Sequence, residues 1–200
     1  DLTKLKALEG IAAISPQTIL FEYSGVQYAG TDYSSEVAGV MPDYAEMDNS
    51  YPAIGRFINT ADANARKKVA VIGSKVREEL KLPENPIGEF IQYGPHWLKV
   101  IGVLESKGQM LGQDLDSYVY IPYPTAVSIM GYQNQPFVMF VARVADVERI
   151  DEITDRVKKT LRRNHGLKPG EENGLKASLS ASGLFERTVD ITCQNGQKIE

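Results

Sequence analysis

The amino-acid sequence predicts an α+β fold, in which hairpins and short helices alternate irregularly, and three observations support this class. First, the stretch from Val69 to Leu104 has the pattern of a strand, a short helix and a hairpin. Second, residues 147–164 have the spacing of a long amphipathic helix. Third, that helix lies between apolar runs at 137–144 and 175–179, which predicts one unit that resembles β-α-β. The apolar stripe of the helix consists of Ile150, Ile153, Val157 and Leu161.

The N-terminal part of the chain is predicted to contain strands and short helical turns. Leucines three residues apart predict an amphipathic helix that ends at Gly10. We expect Ser15-Pro16 to interrupt the next apolar run. The further predicted elements are a strand at Thr18–Tyr23 that forms a hairpin with Val26–Ala29, a strand at Glu36–Met41, a helical turn from Pro42 through Met47, a loop over Tyr51-Pro52 and Gly55-Arg56-Phe57, and a polar turn at Asn59–Asp62.

The rest of the chain continues this alternation. Ser74 can cap a helix at 75–80, and Tyr93-Gly94-Pro95 is a turn signal between two strands. From Ser180 the pattern weakens, and Cys193–Glu200 has the composition of a polar tail. The other predicted elements are a polar loop at Glu105–Asp116, a strand at Tyr118–Ile121, a helix at Thr125–Met130 closed by Gly131, the strand at 137–144, the long helix, and a strand at Leu175–Leu179.

Composition and charge limit the classes of function. The 200 residues are 42% apolar and 24% charged, which is typical of a folded protein. A net charge of −4 argues against a nucleic-acid surface, which usually needs a clustered basic face. Cys193 is the single cysteine, so no internal disulfide can form. No run approaches the ~20 apolar residues of a membrane span. Since the sequence begins at Asp1 without methionine, we expect a fragment of a longer protein, whose anchors can lie outside it.

The sequence contains one short pattern that suggests a phosphate site and two histidines that could be metal ligands. Gly73-Ser74-Lys75 lies at a strand-to-helix turn, where a P-loop would hold phosphate with its backbone amides. The leading glycines of a P-loop are absent, so the pattern favours an ordinary helix start. The two histidines are His96, beside Trp97 in a hairpin turn, and His165, at the end of the long helix. A metal site needs more ligands close together, so none is predicted.

The remaining reactive residues form no known catalytic motif. No serine lies in Gly-x-Ser-x-Gly, and Cys193 has no histidine near it in sequence, so we expect an inert thiol. Asp114 and Asp116 could form a carboxylate pair, but their spacing before a strand favours a solvated loop. The basic end of the long helix complements the helix dipole without a phosphate ligand.

Aromatic and methionine side chains could form either a recognition surface or the core. Five of the ten tyrosines lie in or beside strands, and for these we expect packing on strand faces rather than recognition. They are Tyr23, Tyr28, Tyr118, Tyr120 and Tyr123. For Phe21, Met110 and Met130 the sequence leaves open an exposed contact patch or the core.

An ordered set of motifs extends over about residues 2–179. The set comprises Gly55-Arg56-Phe57 with Asp62, Val69–Gly73, Pro86-Ile87-Gly88 with Ile91, Val100–Val103, Gly108 to Gly112, Tyr120-Ile121-Pro122 with Thr125-Ala126, and Leu161–Gly166. In this order it resembles the periplasmic core domain of MacB-type ABC transporter permeases. The match ends there, because residues 180–200 do not follow the family pattern.

The resemblance implies an extracytoplasmic domain between the first and second transmembrane helices of a cytoplasmic-membrane permease, with those helices outside the given sequence. It implies a porter-like α/β subdomain built from residues 1–54 and 133–182. A smaller strand-rich, sabre-like subdomain is inserted at 55–132, and 183–200 is a poorly matched tail. Such permeases work as dimers with a cytoplasmic ABC ATPase, and in tripartite efflux systems they meet a periplasmic adaptor protein.

Three functions are compatible with these observations. The first, implied by the resemblance, is a non-catalytic domain that couples cytoplasmic ATP hydrolysis to movement of substrate on the periplasmic side. It implies no catalytic, cofactor-binding or metal-binding residues and no nucleic-acid partner. The second is a ligand- or substrate-binding module of a lipoprotein-releasing or peptide-exporting permease, which a deep apolar pocket would favour. The third is a small hydrolase that uses Cys193, His96, His165 and the pair Asp114–Asp116.

Overall fold

The computed structural model describes residues 4–5, 7–110, 113–131, 138–144, 149–164, 175–178 and 188–193. Its mixture of strands and short helices agrees with the predicted α+β class. The strands are β1 (Ile11–Leu20), β2 (Val26–Tyr28), β3 (Thr31–Tyr33), β4 (Glu36–Val40), β5 (Pro52–Gly55), β6 (Val69–Ile72), β7 (Phe90–Tyr93), β8 (His96–Leu104), β9 (Gln109–Met110), β10 (Gln113–Asp114), β11 (Tyr118–Pro122), β12 (Val138–Val144), β13 (Leu175–Ser178) and β14 (Thr188–Cys193). The helices are α1 (Tyr44–Met47), α2 (Thr60–Asn64), α3 (Ser74–Glu79), α4 (Tyr123–Met130) and α5 (Ile150–Asn164).

The chain forms two compact units. The terminal unit consists of Asp1–Pro16 with Phe137–Glu200, and the middle unit consists of Gln17–Pro136. The subdomains implied by the resemblance also combine the two chain ends, but their middle part is shorter, at 55–132. That subdivision stays a prediction.

The terminal unit contains a split β-α-β arrangement. Strand β14 pairs antiparallel with both β12 and β13, so β12 and β13 are parallel and lie on either side of it. Helix α5 follows β12 in sequence and leads toward β13, as predicted. The sequence analysis did not predict β14, although Val189 and Ile191 have the two-residue spacing of a strand.

Helix α5 matches its predicted pattern. Ile153 and Val157, two members of its apolar stripe, are buried. Near its start, Glu152 accepts hydrogen bonds from Arg149 Nε at 3.0 Å and forms an ion pair with Arg156 Nη2 at 2.8 Å. Gly10 lies close to this helix, because a Cβ there would come within 2.7 Å of the Ile153 side chain. The predicted helix start near 147 lies outside the described residues.

The middle unit is built on a mixed sheet. Residues from Gln17 of β1 pair antiparallel with β4, and β4 pairs parallel with β11. Strand β11 is antiparallel to β6, which is parallel to β8. The first part of β8, through Lys99, pairs antiparallel with β7. The last part, from Gly102 to Leu104, pairs antiparallel with β5. Strand β2 pairs antiparallel with β7, and β3 pairs antiparallel with β2.

The predicted block from Val69 to Leu104 has the expected form, with β6, α3 and the β7–β8 hairpin in order. Helix α3 packs on the sheet through Val76, which is fully buried, and Leu80 follows at its end. The prediction that Ser74 caps this helix was wrong. Ser74 is the first helical residue, and Gly73 is the N-cap without a side-chain hydrogen bond.

Two predictions for the N-terminal part were wrong. Ser15-Pro16 does not interrupt the run, because β1 continues through Pro16 to Leu20. The registered pairs with β4 begin at Gln17, so the missing N–H of Pro16 costs no hydrogen bond of that ladder. The Val26–Ala29 segment does not pair with the preceding strand. It pairs with β3 on one side and with β7 on the other. The turn that joins β2 to β3, at Ala29-Gly30, has positive φ at both residues.

Two further elements replace predicted loops. Pro52–Gly55 is strand β5, and it pairs with the second half of β8. Proline is acceptable at the first residue of such a strand, although Tyr-Pro and glycine together suggest a loop. The polar turn at Asn59–Asp62 is the start of α2, where Asn59 and Asp62 form a reciprocal capping box.

The core of the middle unit lies between its sheet and α3. Its buried side chains come from every central strand of the sheet and from α3 and α4. They include Leu20, Val37, Ala70, Ile72, Val76, Ile91, Leu98, Val100, Val119, Ile121 and Ala126. Over the described residues, no helix has the length and hydropathy that crossing a bilayer requires.

Candidate functional site

The motif Gly55-Arg56-Phe57 with Asp62 joins the loop after β5 to α2. The Arg56 guanidinium donates to Asp62 Oδ2 at 2.5 Å and to Oδ1 at 3.2 Å. Gly55 has φ +77°, and a Cβ there would come within 2.3 Å of the Ile101 carbonyl oxygen. Since only glycine fits that conformation and that approach, the motif has a structural explanation.

Asp62 is a buried carboxylate with several donors. Its side chain has no exposed surface, and it also forms an ion pair with Lys67 Nζ at 3.2 Å and accepts from Asn59 N at 3.2 Å. Burial opposes ionisation of this carboxyl, but the hydrogen bonds from Arg56, Asn59 and Lys67 outweigh it and lower the pKa of Asp62. The ionised Asp62 therefore fixes α2 to the loop after β5.

The Gly73-Ser74-Lys75 pattern lies at a tight packing point. A Cβ at Gly73 would come within 2.0 Å of the Asp116 carbonyl oxygen, so the glycine permits two backbones to touch. The Lys75 ammonium forms an ion pair with Asp114, which raises the pKa of Lys75. The lysine that would hold phosphate in a P-loop is thus engaged by a carboxylate.

The two aspartates of the predicted pair have different surroundings. Asp114 is half-buried, and its Oδ1 accepts from Asp116 N at 3.1 Å. Asp116 is buried, so its assignment to a solvated loop was wrong. Its carboxylate accepts from Ser106 Oγ at 2.5 Å, Lys107 N at 2.7 Å and Gly108 N at 3.0 Å. These three donors fix the conformation of the loop around Asp116.

Lys107 connects the same loop to α1. Its ammonium donates to the Asp48 carbonyl, to Asp48 Oδ2 and to Ser50 Oγ, each at 2.7 Å. Ser50 in turn donates to Asp48. All three donor positions of the Lys107 ammonium are therefore used in holding the loop.

The histidine and cysteine candidates are not brought together by any described contact. His96 lies at the start of β8, where burial and the nearby Lys68 lower its pKa and Glu22 opposes the shift. Cys193 ends β14, and only its backbone is described, opposite Val138 and Leu175. His165 lies outside the described residues. Among the residues that the structure describes, no group of three His, Cys, Asp or Glu side chains could hold a metal ion.

The strand tyrosines mostly pack within the middle unit. Tyr120 is buried, stacks on Tyr118 with ring centres 6.0 Å apart, and contacts Tyr44 and Phe57. Burial, with help from Glu36, raises the pKa of Tyr118 to about 12. Tyr28 donates to Glu89 Oε2 at 2.9 Å, and Tyr123 is half-buried. Tyr23 is the exception, because 41% of its surface is exposed and its ring meets Tyr93 edge-on at 5.0 Å.

The sequence left open whether Phe21, Met110 and Met130 lie on the surface or in the core, and the three residues differ. Phe21 is 75% exposed and therefore belongs to the surface. Met130 is partly buried and packs against the core. The side chain of Met110 lies outside the described ones.

Sequence analysis missed an exposed aromatic surface on the β7–β8 hairpin. Register places Phe90 opposite Lys99 and Gln92 opposite Trp97, so these four side chains share one side of the sheet. We call them the hairpin face. Trp97 and Phe90 are 56% and 51% exposed, whereas Ile91 and Leu98 on the opposite side are fully buried. Strict alternation along both strands was the signal that could have revealed this face.

A cleft of about 450 Å³ lies beside α3 in the middle unit. Its lining includes Ile54 and Leu104, and half of the lining residues are charged. These are Lys75, Arg77, Glu78, Glu79, Glu105, Asp114 and Asp116. The cleft differs from the deep apolar pocket that a ligand-binding module would be expected to have.

Comparison with known families identifies the class of this chain. The family model described as "MacB-like periplasmic core domain" matches residues 1–160. The chain therefore belongs to the MacB-like periplasmic core domain family. The resemblance inferred from the ordered motifs is confirmed. This class is the periplasmic domain of MacB-like ABC transporter permeases.

Two relatives show where such a domain occurs. The chain is 32% identical over 169 residues to the macrolide export ATP-binding/permease protein MacB of Bdellovibrio bacteriovorus, which covers 82% of this chain and 25% of that protein. It is 35% identical over 172 residues to the pyoverdine export ATP-binding/permease protein PvdT of Pseudomonas fluorescens, covering 84% and 26%. The chain thus spans about a quarter of the length of the curated relatives it matches.

Solved structures show the same fold. The extracellular domain of the noncanonic ABC-type transporter YknZ from Gram-positive bacteria has a TM-score of 0.67 and 19% identity, and the match covers 84% of this chain and 83% of that one. The periplasmic region of MacB from Actinobacillus actinomycetemcomitans also has a TM-score of 0.67, at 18% identity, with 84% and 73% covered. The predicted α+β class is thereby confirmed.

Proposed function

We propose that this chain is a non-catalytic extracytoplasmic domain of an ABC transporter permease, which couples cytoplasmic ATP hydrolysis to movement of substrate on the periplasmic side. In this proposal, the full permease works as a dimer with a cytoplasmic ABC ATPase and meets a periplasmic adaptor protein. The observation that carries the proposal is the family match over residues 1–160, together with the export permeases that contain such a domain.

The contacts within the middle unit support a mechanical role. The carboxylates of Asp62 and Asp116 and the ammonium of Lys107 are each engaged by several partners of the same unit. Paired charges of this kind hold loops in place and leave little free bonding capacity for a substrate. A domain that transmits displacement needs such fixed loops, because a slack connection would absorb the motion.

The proposal is tested in the full permease that contains this chain. Removal of residues 17–136, joined by a short glycine-serine linker, should abolish export while ATP hydrolysis by the ATP-binding part continues. A control with an inactivated nucleotide site should lose both activities. Wild-type export after the deletion, or stoichiometric ATP hydrolysis by the isolated 200-residue chain, would contradict the proposal.

A further inference from the structure

The segment that connects β8 to β11 is bonded within itself. The Asp116 carboxylate accepts from Ser106 Oγ, Lys107 N and Gly108 N at 2.5, 2.7 and 3.0 Å. Strand β9 on the first arm of the segment pairs antiparallel with β10 on the second, and this pair forms a sheet separate from the main one. We call the described residues of this segment, 106–110 and 113–116, the flap.

Both ends of the flap are anchored to the main sheet. At the first end, Glu105 N donates to the Tyr51 carbonyl at 2.9 Å. At the second end, Gly73 N donates to the Tyr118 carbonyl, also at 2.9 Å. Strands β8 and β11 lie on either side of β6, so the two anchors are two strands apart. A movement of the flap would therefore be a rotation about these two fixed ends.

Two ion pairs fasten the flap to the rest of the middle unit. Lys107 of the flap is bound to Asp48, directly after α1, at 2.7 Å, and Asp114 of the flap is bound to Lys75 of α3. Each of these four side chains keeps between 16% and 38% of its surface exposed, so water and salt ions reach both pairs.

The flap has little apolar attachment. Among the described residues, it contributes no side chain to the buried apolar core. Its one buried side chain is the carboxylate of Asp116, whose three hydrogen-bond donors belong to the flap and would move with it. Opening would therefore break ion pairs that water can replace, without exposing apolar side chains of the flap.

The charges that an open flap leaves behind have other partners. Asp48 also accepts a hydrogen bond from Ser50 Oγ. Asp114 and, more weakly, Glu79 raise the pKa of Lys75. Glu79 lies one turn after Lys75 on α3, at the spacing of a helical ion pair. Neither Asp48 nor Lys75 would thus lose all its polar partners on opening.

The flap forms one wall of the cleft beside α3. Ser106, Gly108, Asp114 and Asp116 line the cleft from the flap, and residues 74, 75 and 77–79 line it from α3. Val103 of β8 also lines the cleft, but it is only 2% exposed. A rotation of the flap away from α3 would widen the cleft and expose Val103.

We propose that the flap is a conformational device of the middle unit. It is held closed by the ion pairs of Lys75 and Lys107, and it opens as one body over the cleft beside α3 while the main sheet stays folded. Local opening of this kind requires less free energy than unfolding of the unit, because the apolar core stays in place. The device is additional to the transmission of displacement proposed above.

The test measures how fast a buried thiol reacts with a thiol reagent such as dithionitrobenzoate. Cys193→Ser first removes the single native thiol from the 200-residue chain. Val103→Cys then reports opening of the flap, and Leu98→Cys, at a fully buried position of the same strand, reports unfolding of the core. The thiol at position 103 should react at least about tenfold faster than that at 98.

Salt provides a test without any change of charge in the chain. An increase from about 50 mM to about 500 mM sodium chloride screens the two half-exposed ion pairs. The reaction at position 103 should accelerate severalfold, whereas that at position 98 should accelerate much less. A salt effect that is equal at the two positions would contradict the proposal.

Methionine substitutions provide the matched variants. Lys75→Met/Lys107→Met removes both ammonium groups, keeps most of the side-chain volume, and leaves the backbone N–H of residue 107 to bind Asp116. The reaction at position 103 should become about tenfold faster, and that at position 98 should stay unchanged. The control is Arg77→Met, which removes a cation of the same cleft that bonds to the Glu84 carbonyl rather than to the flap.

Hydrogen exchange shows whether the flap opens as one body. In the double methionine variant, the amides of residues 107 and 108 should stay protected, because their acceptor Asp116 moves with them. Loss of this protection would mean that the segment unravels, and it would overturn the proposal.

Three further outcomes would overturn the proposal. The first is equal reaction rates at positions 103 and 98 in the chain with both lysines. The second is an unchanged rate at position 103 in the double variant, once circular dichroism and the thermal midpoint show that it is folded. The third is an equal acceleration by Arg77→Met. If the double variant does not fold, the salt series decides. All of these measurements use the 200-residue chain, so they can fail while the deletion test of transport succeeds.

Discussion

Two sets of aromatic side chains lie on one side of the same sheet in the middle unit. The rings around Tyr120 are covered, whereas those of the hairpin face are exposed. Val69 pairs with Lys99, and Val71 pairs with Tyr120, so the hairpin face and Tyr120 lie on one side of the sheet. Tyr44 and Phe57 cover Tyr120, which is 5% exposed. Trp97 at the other end remains more than half exposed.

The difference shows that residue type does not decide between core and contact surface. Tyr120 is buried because α1 and the loop after β5 contribute Tyr44 and Phe57 over it. The described contacts give Trp97 no comparable cover. We therefore expect substitutions at Tyr120 to reduce stability and substitutions on the hairpin face to reduce binding.

The largest effect on stability is expected at Tyr120, the covered aromatic residue of this sheet. Tyr120→Ala removes a buried ring and leaves a cavity, which should reduce the free energy of unfolding by about 3 kcal/mol or more. Denaturant unfolding of the 200-residue chain measures this. A loss below about 1 kcal/mol would mean that Tyr44 and Phe57 do not enclose this side chain as tightly as the ring contacts indicate.

Asp62→Asn should have the next largest effect. It removes a buried charge from Arg56 and Lys67, and because both partners are half exposed we expect about 2 kcal/mol. The folded pKa of Asp62 lies below its ordinary value of 3.8, so its contribution is present above that value and is lost as the pH falls through the folded pKa. Unfolding measured between pH 7 and pH 3 should thus be less pH-dependent in the variant, and identical slopes would contradict this.

A smaller effect is expected for the loop after β8. Asp116→Asn replaces a carboxylate that accepts three hydrogen bonds, and the expected loss is about 1 kcal/mol. Asp114→Asn is the matched control, since Asp114 is more exposed and should cost less. Equal losses for the two variants would show that burial of Asp116 does not set its contribution.

The smallest stability effect is expected on the hairpin face. Trp97→Ala and Phe90→Ala remove half-exposed rings and should change the free energy of unfolding by only about 0.5 kcal/mol. Thermal unfolding compared with Tyr120→Ala measures the contrast directly. A loss as large as that of Tyr120→Ala would show that this face is covered within the chain itself.

The elements with strong local patterns could be predicted from the sequence. Helix α5 and the β7–β8 hairpin carry clear apolar spacing, and both are present. Strand β5 was missed because Pro52 and Gly55 are common in loops, and its partner β8 lies about fifty residues away along the chain, beyond the reach of local pattern. Burial of Asp116 depends on donors from Ser106, Lys107 and Gly108, which spacing alone does not reveal.

The site itself was the least predictable part. His96, Cys193 and the Asp114–Asp116 pair are the candidates that residue type alone suggests, because such side chains carry chemistry. The structure instead draws attention to Phe90 and Trp97, whose role depends on which side of the hairpin is left uncovered. Alternation assigns Phe90 and Trp97 to one side of the hairpin, but only the fold shows that both side chains are left exposed there.

The most direct test of the account is export by the full permease carrying Phe90→Ala/Trp97→Ala. If the chain works through contacts rather than chemistry, export should fall severalfold while the amount of permease in the membrane and its ATP hydrolysis stay at the wild-type level. Wild-type export by this variant would contradict the account.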